Sequence, residues 1–136
     1  MNVSAERREE LAVTSDEDIV RVRQKIREQV IELGFNLISQ TKILTAASEL
    51  ARNMVKFGGG GTLRLEILSD SNHTGVKLIF EDHGPGIPNI ELALKDGYTS
   101  GGGLGLGLGG SKRLVNEFHI DSHMGRGTRI TLISWK

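Results

Sequence analysis

Residues 39–68 read SQTKILTAASELARNMVKFGGGGTLRLEIL, and the hydrophobic period changes inside this stretch. Ile43, Leu44, Ala47, Leu50, Ala51 and Met54 recur three and four residues apart. That spacing predicts one apolar stripe on a helix from about Ser39 to Lys56. Glycines begin at Gly58 and end it. Beyond them Leu63, Leu65 and Ile67 alternate with Thr62, Arg64 and Glu66, the period of a half-buried strand. Ser69 to Gly75 supplies a turn, and Val76, Leu78 and Phe80 then alternate with Lys77, Ile79 and Glu81. A striped helix that feeds a one-faced antiparallel hairpin can bury both apolar surfaces against each other.

The flanks extend this unit. Leu11 to Thr14 is a short apolar run suited to an edge strand. Ser15 opens a helix, with Asp18 three residues on in the manner of a capping box. Ile19, Val22, Ile26, Val30 and Leu33 follow at helical spacing, and Gly34 is a stop signal. After the hairpin comes a glycine-rich segment. A helix is expected over Leu108–Phe118, where Leu108, Leu114 and Val115 can share a face. Phe118–Ser122 and Thr128–Ser134 form a second strand pair around Met124-Gly125-Arg126-Gly127. The order β-α-α-β-β-loop-α-β-β predicts an α/β two-layer sandwich. Its sheet is expected to be mixed but mostly antiparallel and covered on one face by helices, in a single domain over 1–136.

The composition narrows the function classes. The chain has 136 residues, 38% hydrophobic and 25% charged, enough for one core and too hydrophobic for a disordered segment. Its formal net charge is zero, which gives no electrostatic reason to expect nucleic acid or a membrane surface as partner. Without cysteine there is no disulfide, zinc ribbon or thiol chemistry. The histidines at 73, 83, 119 and 123 make no zinc spacing. Residues 1–10 carry no apolar leader, and no run approaches the roughly 18 apolar residues of a membrane span. A soluble, cytoplasmic domain is the expectation. The 18 glycines are abnormal. Glycine costs backbone entropy on folding, and close approach of backbone to a ligand is the usual offset.

Four segments can carry chemistry. Glu49 and Asn53 are four residues apart and share a helix face away from the apolar stripe. A carboxylate and an amide oxygen side by side can polarise a hydroxyl and ligate a hard cation, although a solvated helix face looks the same. In Glu81-Asp82-His83-Gly84-Pro85-Gly86-Ile87-Pro88, Asp82 ends a strand. Gly84 and Gly86 let the backbone turn against something flat. An ionised carboxylate only accepts hydrogen bonds, which suits the amine of adenine; an ordinary turn is the other reading. Gly103, Gly105 and Gly107 leave amides unobstructed before a helix start, an anion site suited to polyphosphate. Leu104, Leu106 and Leu108 are interleaved, unlike a flexible linker. Finally, Gly125-Arg126-Gly127-Thr128 delivers a hydroxyl at a strand start. Gly105-Leu-Gly-Leu-Gly-Gly110 matches the dinucleotide-binding pattern in letters but lacks a preceding strand. Gly110-Ser111-Lys112 has the wrong order for a phosphate-binding P-loop.

The succession E-x-x-x-N on a helix, D-x-G-x-G after a strand, G-x-G-x-G opening a helix and G-x-G-T before a last strand resembles the GHKL family. These are the Bergerat-fold ATPases and kinases. Coverage runs from about Ile43 to Leu132. Within that family the motifs look like the serine/threonine switch kinases of the bacterial stressosome, relatives of the anti-sigma kinases. No helix hairpin with a phosphoacceptor histidine and no transducer domain is seen. The resemblance implies ATP and Mg2+ as cofactors. It implies Glu49 as general base on the acceptor hydroxyl and Asn53 as the Mg2+ ligand. Asp82 would bind adenine with Thr128 through water, Gly84 and Gly86 would shape the adenine floor, and Gly103, Gly105 and Gly107 would cover the phosphates. Arg52 or Lys112 could add charge there. The implied activity is phosphorylation of a STAS-domain scaffold or antagonist protein in partner switching, with a PP2C-type phosphatase as a further partner. An ATP-binding anti-sigma factor that sequesters a sigma factor is the alternative.

Overall fold

The long helix of the opening stretch is the element against which everything else is laid. The computed structural model describes residues 4–70, 72–95 and 107–136. In chain order the elements are β1 Ser4–Val13, α1 Asp16–Glu32, α2 Leu37–Phe57, β2 Gly61–Ser69, β3 Thr74–Asp82, α3 Ile90–Ala93, α4 Gly107–Lys112, β4 Glu117–His123 and β5 Gly127–Trp135. The five strands make one sheet in the order β1-β2-β3-β5-β4. Every neighbouring pair is antiparallel, so the parallel component expected of a mixed sheet does not occur among the described strands.

Local signals explain the helix ends. Ser15 caps α1 by accepting from the Asp18 amide at 3.2 Å. Asp18 does not complete a capping box. Its carboxylate turns one residue further back, accepting from the Thr14 amide at 2.9 Å and the Thr14 hydroxyl at 2.7 Å. At the other end Gly34 (φ +87°) donates to Ile31 and Phe35 donates to Val30, the paired bonds of a Schellman stop. Asn36 caps α2 through the Ser39 amide, which starts that helix two residues before the expected Ser39.

The core lies between the helices and one face of the sheet. Ile43, Leu50 and Ala51 of α2 and Ile26 of α1 meet Leu63, Leu65, Leu78 and Leu132, all essentially inaccessible. β1 runs well beyond the expected Leu11–Thr14, because its N-terminal part is charged rather than apolar. Arg8 and Glu10 reach Glu66 and Arg64 of β2, and charge along an edge strand discourages pairing with other chains.

Two elements depart from the sequence pattern. The helix expected over Leu108–Phe118 ends at Lys112. Past it, the Asn116 amide donates to Ile133 and the Asn116 side chain accepts from the Trp135 amide, so β5 captures the chain before a further turn can form. Gly109 and Gly110 lower the helical preference of what remains. The short α3, capped by Asn89 on the Leu92 amide, was not expected, since four residues are too few to show a period.

One end of the sheet, where strands β2, β3 and β5 start or stop, gathers the segments singled out above. Asp82, at the end of β3, is flanked by Gly61 of β2 and Thr128 of β5, and Thr128 faces Ser122 of β4. Crowding here is severe. A Cβ on Gly61 would lie 2.1 Å from the Glu81 carbonyl oxygen and 2.7 Å from Met54 Sδ. Gly61→Ala should therefore lose about 1–3 kcal/mol, as overpacking does; an unchanged urea midpoint would contradict this packing. A second expectation concerns acid. Hydrogen bonds from Thr14 hold the Asp18 carboxyl below its usual 3.8; burial opposes this, and Arg21 adds to it. The stabilisation is then present above the ordinary carboxylate pKa and is lost as pH falls through the lowered one. The stability gap between wild type and Asp18→Asn should be open at pH 6 and narrow toward pH 2, read as the difference in urea midpoints.

Candidate functional site

A cavity of about 450 Å³ opens between the C-terminal half of α2, the ends of β3 and β5, the 85–88 loop and the start of α4. That volume falls in the range of small-molecule and cofactor sites. Glu49, Arg52, Asn53 and Lys56 line it from one face of α2, at helical spacing. Phe80, Ile87, Ile130 and Met124 supply apolar wall. Glu49 and Gly58 are separated by about 13 Å along the helix axis. Asp82 sits beside Gly58, so the two candidate carboxylates stand at opposite ends of one cavity.

Asp82 shares the inner face of β3 with Leu78 and Phe80 and so points toward α2. Its Oδ1 accepts from the Gly84 amide at 3.0 Å and the Thr128 amide at 3.3 Å. Glycines from separate segments crowd around it. A Cβ on Gly58 would come within 2.5 Å of Asp82 Oδ2, one on Gly84 within 2.6 Å of the Gly58 carbonyl, and one on Gly127 within 2.1 Å of the Asp82 carbonyl. Gly84 therefore packs behind the wall and does not itself line the cavity. Gly86 does line it, at φ +85°, in a loop held by the Gly125 amide on the Pro85 carbonyl at 2.9 Å.

Glu49 answers the question its spacing left open. Glu49 itself is not solvated: α4 packs over it and leaves it 8% exposed. Oε1 accepts from the Gly107 amide at 3.2 Å, and Oε2 pairs with Arg52, whose side chain is about half exposed. A buried carboxylate with a donor on each oxygen keeps a lone pair on each, so with a cavity beside it Glu49 can still accept a proton. Asn53 is half-buried on the same wall.

The remaining expected residues divide. Gly107 and Thr128 line the cavity. Gly103 and Gly105 lie outside the described residues. Lys112 sits exposed in the last turn of the six-residue α4 and does not line the cavity. The cations on the wall are Arg52 and Lys56. Lys56 was overlooked although it lies seven residues after Glu49, on the same face.

Ser122 was also missed. Its hydroxyl accepts from the Ile87 amide at 2.8 Å and stands 2.8 Å from Thr128 Oγ1. It thus ties the loop after Asp82 to the hydroxyl at the start of β5. Only the β4–β5 register brings it there, and no local motif signals it.

Known proteins share this architecture. A family model for the histidine kinase-, DNA gyrase B- and HSP90-like ATPases matches residues 38–136. The chain is 46% identical over 123 residues to the serine/threonine-protein kinase RsbT of Bacillus subtilis, covering 90% of this chain and 92% of that one. It is 30% identical to an anti-sigma F factor of Anoxybacillus flavithermus over 129 residues, 90% of this chain and 86% of that one. The crystal structure of the RsbU and RsbW domains of a Mycobacterium tuberculosis protein superposes with a TM-score of 0.66 at 21% identity. That match takes in 96% of this chain and a third (33%) of the larger one, and it shows the fold. No helix among the described residues is long and apolar enough to cross a membrane. Fold, cavity and sequence match together place the chain in the histidine kinase-, DNA gyrase B- and HSP90-like ATPase family.

Proposed function

We propose that this chain is an ATP-dependent protein serine/threonine kinase acting, as a single domain over residues 1–136, on a STAS-domain scaffold or antagonist protein in a stressosome-type partner-switching pathway. One observation carries the reading. A buried carboxylate, Glu49, and a strand-end carboxylate, Asp82, face one cavity from opposite ends, in a chain 46% identical to a serine/threonine kinase. A PP2C-type phosphatase as second partner, and a cytoplasmic location, belong to the same proposal.

The chemistry assigns each group a task. Asp82 accepts from the adenine amine with Oδ2, while Oδ1 holds the Gly84 and Thr128 amides. Thr128 takes a second adenine edge atom through water, with Ser122 fixing its hydroxyl. Gly86 shapes the adenine floor and Gly84 keeps the loop against Gly58. Gly103 and Gly105 offer amides to the phosphates, and Gly107, whose amide holds Glu49, closes the same glycine loop over them. Among the described residues no three His, Cys, Asp or Glu are grouped to hold an ion. Asn53, which is on the cavity wall, would hold magnesium through its amide oxygen together with phosphate oxygens and water, and the ion would neutralise phosphate charge. Glu49 takes the proton of the acceptor serine or threonine. That oxygen bonds to the γ-phosphorus as the bond to the β,γ-bridging oxygen breaks, and ADP leaves with the electron pair.

Glu49→Gln keeps an oxygen for the Gly107 amide and removes the base. It should lower transfer of labelled phosphate to a STAS-domain substrate by roughly 10²–10⁴-fold while ATP still binds. Undiminished transfer would remove Glu49 from the base role. Asp82→Asn should weaken ATP binding by about 10–100-fold in calorimetry, the effect of presenting a donor to the adenine amine. Equal affinity would move adenine elsewhere.

The similarity to anti-sigma F factors supports one other reading, a module that captures a sigma factor with ATP bound. Offering the ATP-loaded protein a STAS-domain protein and a sigma factor in parallel separates the two. Label on the first supports the kinase; stable capture of the second with no label on the first supports the anti-sigma module.

A further inference from the structure

Arg52 stands on the cavity wall, yet its guanidinium is turned onto Glu49. The two are one helical turn apart on α2, and the pair is lopsided: Glu49 is buried, Arg52 about half exposed. Together with the Gly107 amide on Oε1, Arg52 leaves the carboxylate with a donor on each oxygen. The group assigned as base is thus already engaged in this arrangement. A guanidinium has five N–H donors in a planar fork that matches phosphate oxygens two at a time. The residue beyond it, Asn53, is where the phosphates are placed in the kinase reading. A triphosphate entering the cavity therefore competes with Glu49 for the same cation.

We propose that Arg52 is shared between Glu49 and the terminal phosphate of a nucleoside triphosphate. It pairs with Glu49 as seen here and passes to the γ-phosphate when the triphosphate binds, which leaves Oε2 without its ionic partner to receive the hydroxyl proton. This rests on the nucleotide reading above and deepens it. Arg52 then positions Glu49 and determines the preference for triphosphate over diphosphate, because the phosphate that ADP lacks is the one it would reach. Lys56, one turn further toward Gly58, lies closer to the adenine end and is not paired with Glu49.

The sharing makes a prediction that a merely structural arginine does not. Binding of a nonhydrolysable ATP analogue and of ADP is measured by calorimetry for wild type, Arg52→Ala, Glu49→Gln and the double variant. Arg52→Ala should lose about tenfold or more in affinity for the ATP analogue and little for ADP, the scale of one charge-assisted contact. Glu49→Gln should tighten the ATP analogue several-fold, because Arg52 no longer leaves an ionic partner. In the Arg52→Ala background the same change should have no such effect. Should Arg52→Ala not fold, Arg52→Lys carries the test: it keeps the charge and loses the fork, and its ATP-to-ADP preference should fall below that of wild type. Equal losses for both nucleotides, or Glu49→Gln effects that persist without Arg52, would overturn the sharing while leaving the nucleotide site standing. Wild type that binds neither nucleotide would overturn the site and the sharing together.

Discussion

The Asp82 carboxylate and the glycines packed around it are the constraint on which the cavity depends. One oxygen of this side chain ties the turn at Gly84 to the start of β5 at Thr128. Gly58, Gly61 and Gly127 come from the end of α2, the start of β2 and the start of β5, and each approaches so closely that a methyl group would collide with backbone, with a Met54 sulfur or with Asp82 itself. Side-chain-free positions are therefore needed in separated parts of the chain at once. Bringing the helix end that near to the strand ends puts Glu49, Arg52 and Asn53 on the cavity wall.

Part of this was legible in the sequence. The stripe of α2 and the alternation of β2 and β3 have their own periods, and each expected core position there is buried. Caps at Ser15 and Gly34 were readable because capping is local. Glu49, Asn53, Asp82, Gly86, Gly107 and Thr128 all reach one cavity, as their motif order implied. What failed was long-range. The helix after Gly107 stops because Asn116 is recruited by β5, a contact made 17 and 19 residues away along the chain. Ser122 matters through the register of two strands. The glycine excess reads as room for a ligand, yet in the quartet at 58–61 Gly60 and Gly61 make room for other backbone, Gly58 for the Asp82 carboxylate, and Gly59 for nothing nearby.

The face of α2 that carries Glu49 shows why spacing alone left two readings open. Two polar residues four apart are compatible with water or with a site. The decision comes from α4, whose first amide lands on Glu49 and excludes solvent from it. A charge withdrawn from water must keep partners, and Arg52 is one. Burial, pairing and position at the cavity are thus linked features of one side chain.

The strand order has a consequence for how the protein is made. β3 lies between β2 and β5, and β5 leaves the ribosome after the other four strands. Until it does, the growing chain can hold both long helices and the β1-β2-β3 half of the sheet, but Asp82 lacks its Thr128 partner and one flank of β3 is unpaired. An open strand edge at that stage is the vulnerable moment of biosynthesis, when another nascent chain could pair with it. The cavity is consequently completed only once β5 has paired, and no polypeptide with that strand still inside the ribosome can have it.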